Sequence, residues 1–322
     1  MTLIDTPVAF IIFNRPDKTA RVFEEIRKAR PKQLFIIADG PRSEDEREKT
    51  NAARAATEKV DWPCEVKRNY ADVNGGVKRR PPEGISWVFE HTERAIFLED
   101  DCFPNQSFFP YCEELLERYK DDPRVMHITG SNFLRGKIDF LEEDSYYFSV
   151  TPNLWCWATW RRAWKKYDEH PMDAWPEVRR RELLKDVFPD PAVRERWEVL
   201  FERNWAGKAD TWEGPWLFAC AINRGLCINP RTNLISNIGF DPGAAHWRKG
   251  LSTEDENANI PTSTLSFPLR HPSVILANAK ADAHVYKVQF NINRYFGQRV
   301  RWFFRSHFPN TYRFLKILFS HR

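Results

Sequence analysis

The chain has 322 residues, enough for one large α/β domain or two modest ones, and a chain of this length buries a core without disulfide staples. A hydrophobic share of 42% beside a charged share of 29% is that of a globular protein. The net charge of +4 conceals an asymmetry: Ala283 to Arg322 carries eight Lys/Arg and no Asp/Glu, leaving 41 basic against 45 acidic residues before it. A mildly acidic body with a basic tail argues against a general nucleic-acid-binding surface and for a tail with its own partner. The six cysteines form no C-x-x-C pair and no Cys/His zinc spacing, so they read as buried thiols of a reducing compartment. Met1-Thr2-Leu3-Ile4-Asp5 runs straight into an apolar strand, and no stretch reaches about 18 apolar residues. The expected location is therefore cytoplasmic.

In chain order, Val8–Phe13 reads as a strand covered on both faces, because its apolar run is unbroken. Pro16 is placed to open a helix reaching Arg30. A second buried strand, Leu34–Ala38, stops at Asp39-Gly40-Pro41, and a charged helix follows from about Ser43 to Val60. Cys64–Asn69 reads as a third strand. Gly75-Gly76 and Pro81-Pro82 bracket a loop ahead of helical Ile85–Glu90. Ala95–Leu98 is a fourth strand, ending at Glu99-Asp100-Asp101, and Phe108, Phe109, Cys112, Leu115, Leu116 and Tyr119 then recur at helical spacing. Beyond Gly130 the pattern loosens. Tyr146–Val150 is a strand, Trp155 to Trp160 is rich in tryptophan, 160–203 is charged and helical, and an apolar helix spans Gly214–Asn223.

Strands alternating with helices imply a mostly parallel sheet covered by helices, with ligands outside the carboxyl ends of the strands. The polar residues just past those ends are Asn14-Arg15, Asp39, Arg68-Asn69 and Glu99-Asp100-Asp101, and they should converge on one rim. Three adjacent carboxylates repel one another and raise one another's pKa. A divalent cation relieves that cost, and hard cations such as Mn²⁺ and Mg²⁺ favour carboxylate oxygens. Strand alternation sends Glu99 and Asp101 one way and Asp100 the other. The plainer reading of the triplet is a solvated turn, or caps for the helix near Asn105.

The run Phe97-Leu98-Glu99-Asp100-Asp101, followed by Phe103-Pro104 and Phe108-Phe109-Pro110-Tyr111, resembles the metal-binding motif of GT-A glycosyltransferases, in particular the N-acetylglucosaminyltransferase I group and its bacterial relatives. The resemblance implies that Asp101 ligates the metal while Glu99 and Asp100 face the donor. Phe10–Pro16, with Phe13, Asn14 and Arg15, and the Ala38-Asp39-Gly40 turn look like that fold's nucleotide pocket, Asp39 bonding the base with Arg15 close by. Asn74-Gly75-Gly76, with Lys78, Arg79 and Arg80 behind it, suits either a diphosphate cradle or an ordinary glycine turn with a solvated basic face. Trp212-Glu213 resembles the Trp-Asp pair of that family's W-D-x-x-W region, which makes Glu213 the catalytic base of an inverting transfer, with Asp210 as runner-up. The plainer reading is a helix start whose dipole favours acidic residues. His246 resembles the late histidine that many GT-A enzymes bring to the metal or diphosphate.

Trp155, Trp157 and Trp160 serve either as walls of sugar pockets or as core, with Trp160 and Trp164 spaced as a packed helix stripe. Nine aromatic residues between Arg294 and Arg322, interleaved with Arg299, Arg301, Arg305, Arg313 and Lys316, form a basic amphipathic stretch suited to an anionic membrane surface. The expectation is a GT-A-like domain over 1–270, with a nucleotide-sugar half (1–135) and a smaller acceptor half (136–270), and a C-terminal tail over 271–322. Its function would be metal-dependent transfer of a sugar from a nucleotide-diphosphate donor to a glycan or lipid-linked acceptor, on the inner face of the cell membrane. The alternatives are a sugar nucleotidyltransferase, against which the glycine-free Phe13–Pro16 speaks, and a non-catalytic glycan- or membrane-binding relative.

Overall fold

Strands of unbroken Val, Ile, Phe and Ala need apolar cover on both faces, and helices provide it here. The computed structural model describes residues 3–139, 141–167, 171–240 and 257–290. β1 (Val8–Ile12) lies between β2 (Gln33–Ala38) and β4 (Arg94–Glu99), parallel to both, and β3 (Glu65–Tyr70) extends the sheet beyond β2. On the other side of β4 come β8 (Trp157–Trp160), β6 (Val125–Thr129), β9 (Leu226–Pro230) and β7 (Tyr146–Ser149). β8 and β7 run against their neighbours, while β6 and β9 are parallel to each other. The result is one mixed eight-stranded sheet in which six strands share a direction.

Alternation along β1 sorts the two faces. Val8, Phe10 and Ile12 meet the core under α1 (Pro16–Ala29) and α4 (Phe108–Arg118), whereas Ala9 faces α3 (Arg80–His91) and α8 (Glu213–Ile222). α2 (Glu44–Ala55) is amphipathic in the weak sense, burying only Thr50 and Ala53. A third apolar cluster joins α6 (Trp175–Arg180), α7 (Pro191–Trp205) and α8, with the short α5 (Arg161–Trp164) and two 3₁₀ turns, Pro171–Ala174 and Leu183–Asp186, filling the connections. Asp190 caps α7 by accepting from the amides of Ala192 (2.8 Å) and Val193 (3.0 Å). A two-stranded ladder pairs β5 (Cys102–Pro104) with β10 (Ile235–Asn237).

Several expectations change. Pro81-Pro82 do not bracket a loop but lie in the first turn of α3, where the missing N–H has no helical partner to lose. Trp160 and Trp164 are not one helix stripe: Trp160 ends β8 and packs in the α4-side core, while Trp164 packs in the α3-side core. The two expected halves share a single sheet, since β6 is inserted between β8 and β9. The tail does not begin at residue 271. α9 (Ala279–Val288) buries Ala281 and Val285 against Phe133, Leu134 and Tyr147, and residue 277 bridges to Phe148 of β7. The remainder of the expected tail, 291–322, lies outside the described residues. Among the described residues no helix is long and apolar enough to cross a membrane. All six cysteines are free thiols, and Cys64 is half-buried where burial was expected.

α3 approaches β2 closely enough that a Cβ on Gly84 would stand 2.5 Å from Ile37 Cγ2. Overpacking of that kind costs about 1–3 kcal/mol, more than the roughly 1 kcal/mol that alanine gains over glycine in a helix. Gly84→Ala should therefore lower the urea unfolding midpoint; an unchanged or raised midpoint would show that α3 is free to ride away from the sheet.

Candidate functional site

The register of the parallel strands brings their ends together. Ile11 lies opposite Glu99 and Ile12 opposite Ala38, so the residues that follow, Phe13 to Arg15, Asp39, and Asp100-Asp101, emerge on one rim. There the β1–α1 connection wraps around the acidic turn. The Phe13 amide donates to Asp100 Oδ2 at 3.0 Å, and Arg15 Nη1 donates to Asp101 Oδ2 at 2.8 Å.

β4 ends at Glu99, and Asp100 and Asp101 lie in the turn that follows. Asp100 turns toward the β1 loop, and Glu99, Asp101 and Cys102 each offer a ligand atom, all within 4.8 Å of one another. The Cys102 thiol donates to Asp101 Oδ1 at 3.3 Å and accepts from Asn237 Nδ2 at 3.7 Å. Ile238 N donates to the Asp101 carbonyl at 2.8 Å, and Gly239 follows directly. A Cβ on Gly239 would stand 2.2 Å from Asp101 Oδ2, so glycine is what lets the chain leaving β10 lie against that carboxylate. Cys102, Asn237 and Gly239 were not anticipated as part of the site. Gly239 was visible as a glycine, but nothing in the sequence ties it to a residue far upstream.

The electrostatics show a surplus of negative charge. Burial pushes the Glu99 carboxyl well above the ordinary carboxylate range, and the charges of Asp101, Glu213 and Asp100 push it further. Burial, then Asp101, raises Asp100 to about 7, against the opposing pull of the Phe13 N–H, Arg15 and Lys18. Glu213, the first residue of α8, is half-buried, and its charge adds to the upward shift of Glu99. The Glu213 amide donates to Thr211 Oγ1 at 3.3 Å. Asp210 is exposed, before the helix starts.

The donor chemistry suits a hard divalent cation. Two carboxylates stand within reach of one another, one guanidinium offsets them only in part, and a protonated thiol orients Asp101 by hydrogen bonding.

Other expected residues take different parts. Asp39 is buried and saturated, accepting from the amides of Gly40 (2.8 Å), Gly75 (2.8 Å) and Gly76 (3.0 Å) and from Asn74 Nδ2 (2.9 Å). The Gly75 and Gly76 amides that a diphosphate cradle needs are thus spent on Asp39, and the carboxylate expected to meet a base is spent on them. The motif is a carboxylate-centred loop lock. Arg80 is buried, donating to the Ala38 carbonyl (3.2 Å) and to Asn69 (2.6 and 2.9 Å), and so ties β2 to β3. Arg79 pairs with Glu83 at 2.5 Å. Arg68 stands exposed in mid-strand opposite Ile36, short of the rim. Asn14 Nδ2 donates to Glu46 at 2.5 Å, and Arg42 holds Glu46 down at about 2 while its guanidinium lies 5.2 Å from the Phe13 ring centre. Trp157 and Trp160 are core, whereas Trp155 is half-buried and meets Phe240, the residue after Gly239, at 5.9 Å. His246 lies outside the described residues.

No family model matches the chain, and no curated protein does. Among solved structures, it is similar to 4-diphosphocytidyl-2C-methyl-D-erythritol synthase from Anaerococcus prevotii, at 10% identity over 70% of this chain and 89% of that one, with a TM-score of 0.34. It is also similar to mouse xyloside xylosyltransferase 1 in its apo form, at 12% identity over 68% and 81%, with a TM-score of 0.31.

Asp100 carries a pH signature. Its ordinary pKa of 3.8 rises to about 7 in the folded chain, so between those values the folded state binds more protons than the unfolded one. Stability contributed by this group is present below 3.8 and is lost as pH climbs toward 7. In chelator-treated protein, Asp100→Asn should flatten the decline of Tm with pH across that window. A slope identical to that of the unmodified chain would contradict the placement of Asp100.

Proposed function

We propose that the chain is a divalent-cation-dependent glycosyltransferase of GT-A type, transferring a sugar from a nucleotide-diphosphate donor to a glycan or lipid-linked acceptor. The observation that carries this reading is the gathering of Glu99, Asp101 and Cys102, each offering a ligand atom within 4.8 Å of the others, at the carboxyl end of β4 in the parallel part of the sheet. Ligands of open α/β sheets lie there.

Asp101 and Glu99 would hold the cation, and the Cys102 thiol donates to Asp101 Oδ1. When bound, the cation acts as a Lewis acid that neutralises charge on the departing diphosphate. Arg15, on the same carboxylate, adds guanidinium donors suited to phosphate oxygens. Glu213 accepts the proton of the acceptor hydroxyl while that oxygen bonds to the anomeric carbon and the bond from this carbon to the diphosphate oxygen breaks. The products are a lengthened glycan and a nucleoside diphosphate. Attack by the acceptor hydroxyl on the face opposite the departing diphosphate inverts the anomeric centre. The helix N-terminus under Glu213 favours a carboxylate at that position. The basic aromatic run over 294–322 supports an acceptor presented at an anionic membrane surface.

Purified protein should hydrolyse or transfer from a UDP- or GDP-sugar only with added Mn²⁺ or Mg²⁺, and Asp101→Ala should abolish this. Cation-independent turnover surviving Asp101→Ala would refute the site. Glu213→Gln should keep donor affinity while lowering kcat by about 10²–10⁴-fold, the usual worth of a general base. If donor affinity falls instead, Glu213 is a donor contact.

A further inference from the structure

A concave surface away from this site combines an exposed aromatic with a fixed polar group. Between α6 and the end of α7 is an open hollow of about 370 Å³, lined by Trp175, Pro176, Arg179, Arg180, Glu202 and Trp205. That volume falls at the lower end of the roughly 300–1,000 Å³ of small-molecule clefts. Its walls divide into two chemistries. Trp205 closes α7 with its indole 48% exposed, although a large aromatic normally gains by burial. On the same helix, three residues earlier, is a built polar group: Glu202 Oε2 accepts from Nε1 of the fully buried Trp175 (2.9 Å) and from Arg179 Nη1 (2.5 Å). Two donors on one oxygen hold the carboxylate still and leave Oε1 as an acceptor.

The hollow is joined to the acceptor side of the site. Asn204, one residue before Trp205, packs so closely on Gly214 that a Cβ there would stand 2.2 Å from Asn204 Nδ2. Gly214 follows Glu213. Thus the helix end that bears Trp205 rests on the turn that bears the base.

We propose that this hollow is an outlying carbohydrate subsite, holding a neutral pyranose unit of the acceptor some way from the hydroxyl that reacts. An indole presents a flat apolar face to the C–H face of a sugar ring. A fixed carboxylate oxygen and the Arg179 guanidinium, side by side, match a ring edge carrying hydroxyls that both donate and accept. A lipid chain would meet the charges of Arg179, Arg180 and Glu202. The subsite rests on the transferase reading for its purpose, but its binding is measurable without turnover.

The test is saturation-transfer NMR with four neutral tetrasaccharides, built from glucose, mannose, galactose and N-acetylglucosamine, without nucleotide or cation. At least one should bind the unmodified protein. Trp205→Ala should weaken it about tenfold, as expected for loss of an aromatic platform. Arg179→Ala, at another exposed position, should also weaken it, whereas Asp101→Ala should bind as the unmodified chain does. The proposal is overturned if none of the four binds, if neither Trp205→Ala nor Arg179→Ala weakens binding, or if Asp101→Ala abolishes it, which would put the sugar in the donor site. Absence of turnover with saccharide binding intact would instead remove the transferase reading alone.

Discussion

Carboxylates from Glu99, Asp100 and Asp101 leave the end of β4, and Arg15 pairs with Asp101. Crowding like charges in a partly buried place raises the free energy of every ionised form, and the fold responds in two ways. It sends Asp100 back to the Phe13 amide, and it keeps Glu99 protonated far above the ordinary range. Protonation of Glu99 removes one negative charge and Arg15 offsets Asp101; a divalent cation that displaced the Glu99 proton would meet both carboxylates together.

The surrounding architecture serves that arrangement. β10 pairs with β5 so that Asn237, Ile238 and Gly239 touch Cys102 and Asp101 from a second direction, giving the cluster a wall made from a segment 135 residues downstream. The loop over the neighbouring strands is held by Asp39, whose four donors fix the Asn74-Gly75-Gly76 turn against the end of β2. A gathering of four donors on one buried carboxylate is rigid, because removing any donor leaves charge unsatisfied. The rim is thus set by two acidic centres of opposite character: Asp39, which is saturated and structural, and Glu99–Asp101, which is not.

What could be read from the sequence followed the range over which each signal acts. The strands of the first half are continuous apolar runs, and the strand-end rule then placed Asn14-Arg15, Asp39 and Glu99–Asp101 on one rim. β6 and β9 escaped notice because each is short and mixes polar residues into its run, as His127 and Asn229 show. Asp39 and the Gly75-Gly76 turn were each recognised as special but not as partners, since their hydrogen bonds join positions 36 and 37 residues apart. Gly239 against Asp101 is the same difficulty over a longer span. Arg68 was misplaced by a strand boundary: β3 runs on to Tyr70, which leaves Arg68 in mid-strand.

The most direct measurement is anomalous scattering at the manganese edge from crystals grown with Mn²⁺ and a nucleoside diphosphate. A peak within bonding distance of both Glu99 and Asp101 carboxylates, bridging to the diphosphate, is the predicted result. Density showing the diphosphate elsewhere, with Asp101 still on Arg15 and no ion beside it, would contradict the account.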